Sequence, residues 1–185
     1  MSARSGPVTV LLLRGVNVGG RNRLPMAEFR ALLAGLGLQG VASHVQSGNA
    51  VFRDPGRPDL GPAIAAAMQE RFGFAPALFL LSADDLAEAL AQNPYQAAGA
   101  ATGTAVHLVF LREPLSAAAL AELAGQAGAE EAVAQVGRVL YLHTPKGIGR
   151  SVLAERLERL VKQPKTARNQ SSASAILALA RAVEV

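Results

Sequence analysis

The sequence predicts an α/β (α+β) protein of two ferredoxin-like βαββαβ subdomains that form one compact unit by internal duplication. Three observations predict it. The hydrophobic pattern runs strand, helix, strand, strand, helix, strand, and then does so again. Each run holds a hairpin signal, at Ser47-Gly48-Asn49 in the first and at Gly137 in the second. Between them lies Ala97–Gly103 (AAGAATG), a small-residue stretch that reads as linker. The expected organisation is a flexible tail over 1–7, a first subdomain with its connecting helix over 8–92, a linker over 93–103, and a second subdomain with a C-terminal helix over 104–185.

Val8–Leu13 (VTVLLL) is a near-continuous apolar run, the pattern of a buried strand. A glycine loop follows. Pro25 suits the first turn of a helix, where its missing N–H costs nothing. Met26, Phe29, Leu32, Leu33 and Leu36 then recur at helical spacing, and Gly37 or Gly40 stops the helix. Val41–Gln46 and Ala50–Arg53 are the hairpin strands, and Asp54-Pro55-Gly56 breaks the chain. Leu60–Phe72 is a second helix with Ile64, Met68 and Phe72 inward, and Ala75–Leu81 a strand. Ser82 and Asp85 have capping-box spacing for a helix that runs to Gln92 and ends at Asn93-Pro94. In the second half Thr104–Leu111 is a strand, and Ser116 caps a helix with Leu120, Leu123 and Ala124 on one face. Glu131–Gln135 and Arg138–His143 flank Gly137, and Ile148–Val161 is a helix. Thr166–Arg168 supplies a short closing strand, and Ser172–Val183 is the last helix.

Half of the 185 residues are hydrophobic and only 4% aromatic, so the core is aliphatic. The absence of cysteine excludes a disulfide framework, a thiolate zinc site and a cysteine nucleophile. No apolar run reaches the roughly 18 residues of a membrane span, and MSARSGP lacks the apolar segment of a signal peptide. A cytoplasmic protein without membrane contact is expected. Charge is unevenly spread. Residues 1–30 hold five arginines against Glu28, residues 54–136 three arginines against ten acids, and residues 137–169 eight bases against Glu155 and Glu158. A fold that joined the chain's basic ends would offer a face for phosphates or other anions.

The loop after the first strand is the strongest site candidate. Strand, glycine-rich turn and helix start is the arrangement that lets backbone N–H groups meet an anion. Its glycines, Gly15, Gly19 and Gly20, match neither the GxxxxGK[ST] nor the GxGxxG spacing. Arg21 and Arg23 precede a helix N-terminus, where the dipole favours acids. Pro145–Ser151 repeats the oddity before another helix, and Lys165–Asn169 reads as a basic turn before the last, with Asn169 or Ser171 as its cap. One composite anion site is therefore expected, for a phosphorylated small molecule or a nucleotide. It would use Arg14, Asn17, Gly19, Gly20, Arg21, Asn22, Gln46, Ser47 and Asn49, completed by Arg150, Ser151, Arg168 and Asn169. Arginines would grip the anion, glycine amides would cradle it, and the side-chain amides would orient it.

His44, His107 and His143 fall on predicted strands without HExxH or HxH spacing, so neither metal nor cofactor is expected. Ser47 lies in QSGN rather than a GxSxG elbow, and Asp84 and Asp85 are helix-start acids. No reaction and no catalytic residue is assigned. A second reading is a nucleic-acid-binding module with an extended basic face. The strand aromatics Phe52, Phe79, Phe110 and Tyr141 lack the clustering of a base-stacking sheet and read as core. A third makes the polar motifs purely structural, with Arg14, Gln46 and Asn49 buried and hydrogen-bonded within the chain.

Leu13–Asn22 (LRGVNVGGRN), Pro25-Met26 and Gln46–Phe52 (QSGNAVF), joined by Asn93-Pro94, Gly149-Arg150-Ser151 and Ala167-Arg168-Asn169, resemble the pattern of a bacterial family, domain-of-unknown-function family 1697 (DUF1697). The resemblance covers nearly the whole chain. It implies two ferredoxin-like subdomains and no established activity. The chain departs at Val152, where the family usually has Lys, and at Gln170, where an aromatic, commonly Trp, follows the Arg-Asn pair. At a ligand-contacting position either departure would alter binding.

Overall fold

A computed structural model describes residues 6–184. The chain divides into two compact units, Met1–Ala87 with Ala175–Val185 (unit 1) and Glu88–Ser174 (unit 2). In order the elements are β1 (Val8–Leu13), α1 (Met26–Gly35), β2 (Gln39–His44), β3 (Asn49–Arg53), α2 (Leu60–Phe72), β4 (Leu78–Ser82), α3 (Ala83–Ala91), α4 (Gln96–Ala101), β5 (Val106–Leu111), α5 (Ala117–Gly125), β6 (Ala132–Val136), β7 (Val139–His143), α6 (Val152–Leu160), β8 (Lys165–Asn169) and α7 (Gln170–Glu184). Two four-stranded antiparallel sheets result. Sheet 1 has the order β2-β3-β1-β4 and sheet 2 the order β6-β7-β5-β8. Each alternates strands and helices in the ferredoxin-like manner.

In unit 1, Leu11 and Leu13 of β1 pack with Phe29 and Leu33 of α1 and Ile64 and Met68 of α2. Val10 and Leu12, on the opposite face of β1, are also fully buried. Burial on both faces explains why β1 reads as a continuous apolar run rather than an alternation. Each fully buried Leu or Phe contributes about 1.5–3 kcal/mol. Gly73 ends α2 in the left-handed conformation (φ 78°), its N–H returning to the Gln69 carbonyl. The Ser82/Asp85 capping box forms as spaced. Ser82 Oγ accepts from the Asp85 N–H at 2.9 Å, and the Asp85 carboxylate accepts from the Ser82 N–H at 2.8 Å.

In unit 2, Val109, Leu111, Leu140 and Leu142 pack with Leu123 of α5 and Leu153 and Leu157 of α6. Tyr141, on the other face, is fully buried and donates its hydroxyl to the Ala89 carbonyl at 2.7 Å. Two expectations need correction. The stretch read as linker is helical, forming α4, because alanine favours helix and Gly99 gives room for Gln170, whose Oε1 would lie 1.7 Å from an added Cβ. The closing strand read at Thr166–Arg168 is β8, but it spans all of Lys165–Asn169 and pairs along its length with β5, so that stretch is not the basic turn also read there. Residues 1–5 of the expected tail lie outside the described residues.

Candidate functional site

The site candidate in unit 1 is built from two connections at one end of sheet 1. Leu12 pairs with Asn49 and Leu13 with Leu78, so the end of β1, the β2–β3 turn and the start of β4 lie together. The glycine loop is a small hairpin. Arg21 N–H donates to the Val18 carbonyl and Asn17 N–H to the Asn22 carbonyl, both at 3.1 Å. Gly19 and Gly20 form its tip with φ of 59° and 74°. Positive φ at both central residues is the signature of the tight turn that suits a two-residue hairpin.

Asn17 fastens this hairpin to the β2–β3 turn. Its Nδ2 donates to the Gln46 carbonyl at 2.7 Å and to the Leu24 carbonyl at 3.0 Å, and its Oδ1 accepts from the Leu24 N–H at 2.8 Å. Asn22 Nδ2 donates to the Gly15 carbonyl at 3.1 Å. Within the turn, Asn49 is buried and donates to the His44 carbonyl at 3.2 Å. Gly48 lies so close to Leu13 and Val16 that a Cβ there would come within 2.5 Å of the Val16 side chain. Among the described residues the only non-glycine positions with positive φ are Asn17 (54°), Asn22 (49°) and Val45 (50°), and all three lie in these two connections. Val45 is β-branched, so the conformation is strained there.

Nine of the expected site residues are thus brought to one end of one sheet. Arg14 is half-buried, its N–H donating to the Ala77 carbonyl. Gln46 and Ser47 are exposed, so the burial that the structural reading expects is met at Asn49, is partial at Arg14 and is not met at Gln46. Arg21 and Arg23 are exposed, and among the described residues their side chains make no hydrogen bond or ion pair. Val18 (67% exposed) and Val45 (52%) add apolar surface beside them. The dipole of α1 is met by Glu28 in its first turn, which also pairs with Arg71 at 3.0 Å.

The four second-half residues lie in unit 2, at the end of sheet 2 where β5 begins and β7 and β8 finish. That end is the opposite one, by strand order, from the end of sheet 1 that carries the glycine loop. The basic motif before α6 is therefore no positional repeat of the loop. Ser151 Oγ caps α6, accepting from the Ala154 N–H at 2.9 Å, and Asn169 Oδ1 caps the start of α7, accepting from the Ser172 N–H at 2.8 Å. Arg168 is buried, donating to Thr166 Oγ1 at 2.8 Å and the Ala167 carbonyl at 2.7 Å; burial draws its pKa down to about 10. Lys165 is buried too, its ammonium on the Val161 carbonyl at 2.8 Å and Glu158 at 3.1 Å.

The α6 start was expected to want an external anion, and here the structure corrects the sequence. Glu131 supplies the anion. Its carboxylate accepts from the Leu153 and Gly128 N–H groups, each at 2.9 Å. Burial alone would raise its pKa, but the hydrogen bonds from Ser151, Gly128, Leu153 and Val152 prevail and hold it below the usual range. The acid arrives from the α5–β6 connection, so no local motif reveals it. Arg150 borders one cleft lined also by Glu155 and Glu158 and another, of about 200 Å³, lined also by Glu130 and Glu131. The two positions read as departures from the family pattern, Val152 and Gln170, lie beyond the 7–141 match to the family. Val152 is 44% exposed at the first turn of α6, and Gln170 accepts from Asn93 Nδ2 at 2.8 Å.

The three histidines lie on strands, as read. His107 is buried on β5, its Nδ1 3.5 Å from Thr144 Oγ1, and burial pushes its pKa down to about 4. An unfolded histidine titrates near ~6.5. Between those values the unfolded chain binds a proton that the folded chain refuses, so stability falls as pH drops through that window. Denaturant melts between pH 7 and 4 are expected to show a loss on the order of 2 kcal/mol that His107→Leu largely removes.

Among the described residues no helix is long and apolar enough to cross a membrane, and no three His, Asp or Glu side chains converge as a metal-ligand set. Phe52, Phe79, Phe110 and Tyr141 are all buried, so none is free to stack on a base. The sequence profile of the family described as protein of unknown function (DUF1697) matches residues 7–141. No curated protein is significantly similar to the chain. The conserved bacterial protein SP0830 from Streptococcus pneumoniae has a similar structure, with 24% identity and a TM-score of 0.70 over 94% of this chain and 98% of that one. At that identity the likeness speaks for the fold alone.

Proposed function

We propose, for a chain that belongs to the DUF1697 family of proteins of unknown function, that the glycine-loop end of sheet 1 binds a phosphorylated small molecule or nucleotide. The observation that carries this reading is the pair Arg21 and Arg23. Both guanidinium groups are exposed and, among the described residues, without an acid, on a loop whose conformation is otherwise tied down by Asn17 and Asn22. A guanidinium held on a fixed backbone is suited to bidentate contact with a phosphate. Val18 and Val45 give the apolar remainder of a ligand a surface to rest on. Arg150, Ser151, Arg168 and Asn169 are left out of this reading, because two of them cap helices, Arg150 stands among acids and Arg168 is buried. The expected cytoplasmic location belongs to the same proposal. The shared strand order of the two sheets supports an origin by internal duplication, although no residue-level repeat accompanies it.

The test is calorimetric titration with inorganic phosphate, pyrophosphate and ATP. At least one is expected to bind, and Arg21→Ala with Arg23→Ala to weaken it at least tenfold, since a hydrogen bond to a charged group is worth about 1.5–3 kcal/mol. Both side chains are exposed, so the melting temperature should hold. Failure of all three probes to bind, or equal binding by the double variant, would count against the reading.

A further inference from the structure

Of the three non-glycine residues with positive φ among the described residues, two are asparagines whose side chains hold the glycine loop in place. The third, Val45 at φ 50°, has no such reason. A β-branched side chain is among the least tolerant of this conformation, and valine can make no side-chain hydrogen bond in return. Nor does Val45 serve the core. It is 52% exposed and is not among the side chains packed on the core of unit 1. Glycine or asparagine would suit the backbone better with no loss of core packing. Strain of this kind persists where the residue has another use, and it collects at ligand sites.

Val18, on the facing connection, shares the second property. It is 67% exposed and also lies outside the core. The Asn17 side chain and the Gln46 carbonyl are joined by a hydrogen bond of 2.7 Å, and Val18 and Val45 are the chain neighbours of these two residues. Val18 also forms a β-bridge with Arg21. Residues opposite each other across antiparallel strands share a face, with Cβ atoms about 4.5–5.5 Å apart. The hairpin therefore offers an apolar group and a guanidinium side by side. Next to Val45, Gln46 carries an exposed amide that makes no hydrogen bond among the described residues.

A cation, an apolar surface and a polar amide match the parts of a nucleotide: its phosphate, the faces of its base and the base's hydrogen-bonding edge. Inorganic phosphate would use the first alone, and an alkyl phosphate the first two. We infer that the ligand of this end of sheet 1 is a nucleotide, with its phosphate on Arg21, Val18 and Val45 as the specificity-determining contacts for the faces of the base, and Gln46 for its edge. The inference rests on the anion reading proposed above and narrows its ligand to one class.

The test pairs AMP with ribose 5-phosphate, which carry the same phosphate monoester and differ in the base. Calorimetric titration of the full chain is expected to show AMP binding about tenfold tighter. Val45→Asn should raise the melting midpoint by roughly 2–4 °C, because asparagine tolerates positive φ, and should bring the two affinities together. Val18→Ser should also bring them together but leave the midpoint in place, since Val18 has no positive φ to relieve. A variant that gains stability while losing discrimination has not lost it through misfolding. Equal affinity of the parent chain for the two compounds, or binding of neither while pyrophosphate binds, overturns the inference and leaves the anion reading standing. A chain that takes none of the three overturns both. A Val45→Asn variant that gains no stability, or that keeps the preference for AMP, overturns the role given to Val45.

Discussion

Replacing Gly48 by alanine should cost about 2–4 kcal/mol and lower the thermal midpoint by roughly 5–15 °C. Two effects add at this position. Gly48 has φ 71°, where an L side chain costs about 1–2 kcal/mol. A Cβ would also come within 2.5 Å of Val16 Cγ2 and 2.9 Å of Leu13 Cβ, both buried. Leu13 cannot retreat, because its N–H is held by the Gly48 carbonyl at 2.9 Å. Gly19→Ala provides the comparison. Gly19 has φ 59° but nothing within 4 Å of an added Cβ, so only the conformational cost of about 1 kcal/mol applies. Thermal melts of the two variants separate the terms. Equal losses would mean that the close approach of the β2–β3 turn to β1 contributes nothing.

Gly48 also shows where sequence reasoning reaches. The QSGN segment is legible as a turn because glycine and asparagine tolerate positive φ. Why glycine is required is not legible, since the reason is a side chain on another strand. The same division holds elsewhere. Leu60–Phe72 matches α2 residue for residue, because its apolar spacing is a local signal. The helix α4 was hidden because AAGAATG has no amphipathic pattern, and the contact that shapes Gly99 comes from Gln170, far along the chain.

Charge reasoning divides in the same way. Arg21 and Arg23 are as exposed as their loop suggests. The basic motif before α6 misleads, because Glu131 reaches that helix from before β6 and satisfies it. Lys165 and Arg168 mislead for another reason. Both are buried strand residues whose long side chains carry their charge to partners in the fold. A local excess of cations is therefore no mark of an anion site where the fold itself delivers an acid.

Asn17→Ala is expected to uncouple that loop. The substitution removes three hydrogen bonds, to the Leu24 and Gln46 carbonyls and from the Leu24 N–H. It also places alanine at φ 54°, a conformation asparagine tolerates better. Leu24 is buried, so its N–H and C=O lose partners that water cannot fully replace. The combined cost is about 2–4 kcal/mol. Asn17→Gly keeps the backbone conformation easy and removes only the bonds, so the difference between the two variants isolates the strain. Hydrogen exchange supplies the local reading. The Leu24 amide should be protected in the parent and exchange faster in both variants, while amides in unit 2 stay unchanged. Anion binding through Arg21 and Arg23 should weaken in both, because the hairpin that presents them is no longer fixed to the β2–β3 turn. Full retention of binding with a freely exchanging Leu24 amide would show that the arginines act without the fixed frame, and the case for this end of sheet 1 as a preorganised site would fall.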